Sequence, residues 1–167
     1  MNLKNLKAED HFILHSCSLN KNEALKSLKF ISNNFNWDYY WKENVNNGIA
    51  GILHKHFKKI PQIRKALPEK ILKKHEHYYL KVLTHNSRMF AELKDVMCLL
   101  HEKGYNKIIL IKGAFILPEI YKDIGSRPMS DIDMVVENTD TAEKISDALK
   151  TELNYRSRVF RNKVEIE

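Results

Sequence analysis

The sequence has no run of 18 uncharged apolar residues, which excludes a membrane-spanning helix. Its first ten residues, MNLKNLKAED, carry charge where a secretory leader would carry an apolar core, so a cytoplasmic protein is expected. Cysteine is scarce. Cys17 and Cys98 stand far apart, each in a helical context, and read as reduced thiols packed as small hydrophobes. There is no low-complexity segment, linker or internal repeat, and no Ser/His/Asp or Cys/His constellation can be argued from the spacing. A P-loop is missing too, because Lys112-Gly113 lacks the upstream glycine and the Lys-Ser/Thr pair.

What the chain does hold is charge, unevenly spread. Residues 105–167 contain 10 of the 28 lysines and arginines and 11 of the 21 acids. Residues 1–104 keep the remaining 18 against 10, with all eight histidines. This concentrates the net +7 in one half. Two readings are open: solubilising lysine on helix surfaces, or a field that guides a polyanion such as a nucleotide or RNA. With 167 residues, 43% hydrophobic and 29% charged, the chain can bury a real core in one domain or slightly more.

Residues 1–60 read as helical throughout. Asn20 caps a helix over Lys21–Asn33, with Ala24, Leu25, Leu28 and Ile31 at helical spacing. Phe35, Trp37, Tyr39, Tyr40 and Trp41 then crowd together, either as a base-stacking surface or, more ordinarily, as the anchor of a helical core. A helix over Ile49–Phe57 is stopped by Pro61. Pro68 suits the first turn of a long helix reaching about Lys103. Its apolar rows run through Leu72, Tyr79, Leu93 and Leu100, and through Val82, Met89 and Val96, with Asn86 interrupting the first. Gly104 sits at the C′ position. His54 and His56, like His75 and His77, are two apart and share no helix face, so they read as packing or surface residues rather than zinc ligands.

From Lys107 the pattern changes. Lys107–Ile111 reads as a buried strand, Lys112-Gly113 as a turn, Ala114–Ile124 as a short helix, and Gly125-Ser-Arg-Pro128 as a second turn. A strand carrying Asp131 and Asp133 follows. Strand residues two apart project to one face, about 6.6 Å apart, so both carboxylates aim at one point while Ile132, Met134 and Val136 turn to a core. Paired hard oxygens suit Mg²⁺. Gly113 lets a phosphate approach the N–H groups of a helix start, Lys112 adds a point charge, and Arg127 can fork onto phosphate oxygens. A helix over Thr139–Leu153, capped by Asn138 or Thr139, turns Ala142, Ile145, Ala148, Leu149 and Leu153 inward. One strand or a hairpin through Val159, Val164 and Ile166 ends the order. The expected fold class is α+β, with a helical region over 1–104 and an α/β core over 105–167.

Taken together, Leu110-Ile-Lys-Gly-Ala114, Tyr121, Gly125-Ser-Arg-Pro128 and Asp131-Ile-Asp-Met-Val135 resemble the uncharacterised nucleotidyltransferase family of the DNA polymerase beta-like superfamily. The resemblance spans residues 35 to 167. It implies a small mixed-sheet, polymerase beta-like core. It also implies transfer of a nucleoside monophosphate from an NTP to an RNA, protein or small-molecule acceptor, with Mg²⁺ or Mn²⁺ and release of pyrophosphate. Asp131 and Asp133 match the paired metal ligands. Gly113 matches the glycine of a Gly-Ser turn in which Ala114 replaces the serine. Lys112, Ser126 and Arg127 complete the implied nucleotide- and phosphate-binding set. The third catalytic and metal-binding carboxylate falls to Glu165 or, second, to Glu167. Family members run longer, so the resemblance further implies a core cut short at the C-terminus, its open sheet edge completed by a partner chain or self-association. The contrasting expectation is a degenerate module of the same fold that holds RNA or a partner protein through its basic half.

Overall fold

The computed structural model describes residues 6–160 and 163–166, those after Arg156 by backbone alone. The fold is α+β. Helices α1 (Ala8–Ser16), α2 (Lys21–Leu25), α3 (Trp37–Asn46), α4 (Ala50–Lys59), α5 (Pro61–Ala66) and α6 (Glu69–Glu102) come first. Then follow β1 (Ile109–Ile111), α7 (Gly113–Ile116), β2 (Asp133–Val135), α8 (Thr139–Leu153), β3 (Ser157–Phe160) and β4 (Lys163–Ile166). Among the described residues no helix is long and apolar enough to cross a membrane. Two compact units divide the chain: Met1–Asn86 with Tyr121–Pro128, and Ser87–Ile120 with Met129–Glu167.

The first unit is built on aromatic packing. Phe12, Tyr40, Leu53, Phe57 and Ile63 are all but fully buried and form its centre. Phe12, Phe35, Trp37 and Tyr40 meet edge-on or tilted, as their ring quadrupoles favour. Phe35 and Tyr40 of the aromatic run are therefore core, with Trp37 packed partly buried against them, while Tyr39 and Trp41 stay partly accessible. Asn20 caps α2 by accepting from the N–H groups of Asn22 and Glu23, and Asn36 caps α3 through Tyr39. After Leu25 the expected helix tightens into a 3₁₀ turn, Lys26–Phe30. Pro61 opens α5 at its first position, where its missing N–H does no harm.

Two polar residues lie fully buried on α6, His75 and Asn86. His75 Nδ1 stands 2.9 Å from the Ala50 carbonyl, which only accepts, so Nδ1 carries the proton and Nε2 accepts from the Tyr40 hydroxyl at 3.0 Å. Asn86 explains the interruption in the apolar row. Its Nδ2 donates to the carbonyls of Ile124 (2.5 Å) and Arg127 (2.8 Å), clamping the Tyr121–Pro128 segment. Asp123 holds the same segment, accepting from the Tyr79 hydroxyl and the Gly125 N–H and pairing with Lys55 at 2.6 Å. Burial alone would raise the Asp123 pKa, but the Lys55 and Gly125 contacts outweigh it and hold the carboxyl below its usual value. Close approach depends on Gly51, where an added Cβ would stand 2.5 Å from the Gly125 carbonyl oxygen.

In the second unit Val96, Leu100, Ile145 and Leu149 form a smaller core, joined by Met134, Val136 and Tyr155. Asn138 caps α8 by accepting from the Thr141 N–H, and Asn154, at φ 58°, ends it in the left-handed conformation. Leu153 is 36% exposed rather than inward. Cys98 is exposed too, and not a packed hydrophobe. β1 pairs antiparallel with β2 and β3 with β4, so the described strands make two separate pairs instead of one mixed sheet. As half of a two-stranded pair β1 is not a buried strand: Ile109 is 64% exposed.

Candidate active site

Everything at this site starts from the β1–β2 register. Ile111 stands opposite Asp133, so the residue after β1 arrives beside that carboxylate. That residue is Lys112, and its Nζ lies 2.8 Å from Asp133 Oδ1. Lys112 turns the chain into α7 with φ 49° and ψ −127°. A side chain is rarely tolerated there, and such strain clusters at functional sites. The hydrogen bond to Asp133, then the charges of Asp133 and Asp131, raise the Lys112 pKa above the usual lysine value.

Asp131 precedes β2 and is exposed, and its Oδ1 accepts from Ser130 Oγ at 3.0 Å. Both carboxylates thus act on one ammonium group, Asp133 by contact and Asp131 through its field. The Asp133 side chain is 19% exposed, and its Oδ2 is buried with no hydrogen-bond partner among the described residues. An anionic oxygen withdrawn from water without a donor is unfavourable, and a cation relieves it. The donor set on this side therefore fits a hard divalent ion. Among the described residues no group of three His, Cys, Asp or Glu side chains gathers to hold a metal.

Gly113 starts α7 with its backbone against Met129: an added Cβ would fall 2.7 Å from Met129 Cγ. Ala114 is buried and presents no hydroxyl at this turn. The helix is shorter than the expected Ala114–Ile124. After Ile116 it widens into a π-type turn, Leu117–Tyr121, because Pro118 cannot donate the next α-helical hydrogen bond.

Ser126 and Arg127 belong to the first unit, where Ser126 is buried and Arg127 is exposed with its carbonyl held by Asn86. Glu165 lies on β4 opposite Arg158, described by backbone only. Glu167 lies outside the described residues. The spacing of Asp131 and Asp133 was visible in the sequence, but the Lys112 backbone strain and its ion pair were not. Asp123, with Lys55 and Tyr79, was missed because its partners lie 68 and 44 residues away. Only the misplaced Asn86 signalled that a polar clamp was there.

Residues 33–163 match the family described as "Uncharacterised nucleotidyltransferase". No curated protein and no solved structure matches the chain.

Proposed function

The chain belongs to the uncharacterised nucleotidyltransferase family, and from that premise we propose that it carries out Mg²⁺-dependent nucleotidyl transfer on a polymerase beta-like core. One observation supports the reading above the rest. Asp133 faces Lys112 across the β1–β2 pair and keeps a buried oxygen without a donor among the described residues. Asp131 and Asp133 are the residues that would hold Mg²⁺ or Mn²⁺, with Glu165 the candidate third carboxylate. Such an ion, when bound, neutralises charge on the triphosphate and on the oxygens that enter and leave.

The chain's own residues do the rest. With an NTP at the turn, Lys112 exchanges Asp133 for a phosphate oxygen, to which it offers a point charge. Gly113 seats the turn against Met129, where a side chain would collide. The acceptor hydroxyl oxygen forms a bond to the α-phosphorus, the bond from that phosphorus to the bridging oxygen breaks, and pyrophosphate leaves. The hydroxyl proton passes to a site carboxylate. Two free cysteines suit a reducing cytoplasm as the place of the reaction.

Incubation with α-labelled NTPs, Mg²⁺ and mixed RNA or protein acceptors tests this directly. Label is expected on an acceptor with the native chain and not with Asp131→Asn/Asp133→Asn, while the two melt alike. Equal labelling by the double variant would overturn the proposal.

A further inference from the structure

A groove within the first unit has no part in the transfer chemistry. It encloses about 1020 Å³ and follows one face of α6. From Lys70 to His85 that face is roughly 22 Å long at 1.5 Å per residue. Lys70, Lys73, Lys74 and Lys81 line it, and the rings of Trp41 and Tyr78 stand in its wall. Among the described lining residues Glu69 is the only acid, and it pairs with Lys73 at 2.7 Å. Lys74 Nζ sits 5.6 Å from the centroid of the Trp41 ring and 3.5 Å from the exposed Asp38 carboxylate outside the lining, and Trp41 and Tyr78 meet edge to face with centroids 6.1 Å apart.

Three occupants answer a cationic groove, and the lining discriminates among them. An acidic peptide matches the lysines but makes no use of two aromatic rings. A single nucleotide leaves most of a lysine row of this length unmatched. Duplex nucleic acid keeps its base faces stacked and unavailable. Single strands alone offer both a row of phosphates and free base faces, for which cationic grooves with aromatic platforms are suited. We propose that this groove binds a single-stranded polynucleotide, phosphates on the lysines and bases against Trp41 and Tyr78. The site stands on its own residues.

Fluorescence anisotropy with the full chain carrying Asp131→Asn/Asp133→Asn separates this proposal from the transfer reading, since binding is then read without turnover. The probes are a labelled 12-nucleotide oligouridylate, the matching DNA strand, a hairpin duplex and polyglutamate. Single strands are expected to bind best, with affinity falling as salt rises. Lys70→Glu/Lys81→Glu is expected to weaken binding at least tenfold and flatten the salt dependence. Trp41→Leu is expected to weaken it severalfold while leaving the salt dependence unchanged. Tighter RNA than DNA would add a contact to the 2′-hydroxyl, and equal binding of the two also supports the groove. Polyglutamate or duplex binding as tightly as the single strand would overturn the proposal, as would full affinity in the lysine variant. Lys70 and Lys81 are exposed, so that variant decides the matter even if Trp41→Leu fails to fold.

Discussion

Lys112 is strained where it stands, and the strain has a use. A positive φ holds its backbone in glycine territory while its side chain reaches Asp133. Lys112→Gly is therefore expected to raise the melting temperature and to weaken NTP binding, an opposition that melting curves and nucleotide titration can read together. His75 makes a separate statement about pH. Burial pushes its pKa from the ordinary 6.5 to about 4, so the folded chain keeps it neutral while the unfolded chain protonates it. Its stabilisation is present above pH 6.5 and is lost as pH falls toward about 4, about 3 kcal/mol in all. Urea midpoints measured between pH 7.5 and 4.5 should fall accordingly, and less steeply in His75→Gln. Asn86→Leu should cost roughly 1–3 kcal/mol in the same assay, because it removes the donor shared by the partly buried carbonyls of Ile124 and Arg127.

At the scale of elements, local chemistry decided what the sequence could reveal. α8 was legible from end to end because Asn138 caps it and Ile145 and Leu149 keep helical spacing; Asn138→Ala should cost about 1 kcal/mol in a urea melt. α6 was legible for the same reason, down to the glycine that ends it at φ 84°. The strands were not. β1 is three residues long, and its partner β2 lies beyond a 21-residue excursion, so pairing and exposure depend on distant contacts rather than on pattern. The helix after Gly113 was read too long because Pro118, tolerated near a helix start, here falls where a hydrogen bond is required. Gly51 carried no sequence signal, yet it lets a backbone carbonyl approach where a methyl would collide. Gly51→Ala should destabilise the first unit by roughly 1–3 kcal/mol.

For the whole molecule, basic residues and paired carboxylates are unevenly distributed. The excess of lysine gathers in the helical residues 1–104, and the paired aspartates in 105–167. Of the candidate site, the spacing of Asp131 and Asp133 was legible in the sequence; Lys112, Gly113, Asp131 and Asp133 share one unit, and Ser126 and Arg127 belong to the other. The proposed function turns on a distinction between acids spent on the fold and acids open to a metal, which the sequence does not draw. Asp123 and Asp133 each keep a buried oxygen with no hydrogen-bond donor among the described residues, but that of Asp123 pairs with Lys55 at 2.6 Å, while Lys112 pairs with the other oxygen of Asp133. Calorimetric titration of an α,β-methylene NTP analogue into native chain and Asp133→Asn, with and without Mg²⁺, tests that distinction most directly. Binding to the native chain that needs Mg²⁺, and weakens at least tenfold in Asp133→Asn, is the predicted result. Binding that ignores both the ion and the substitution would contradict the account.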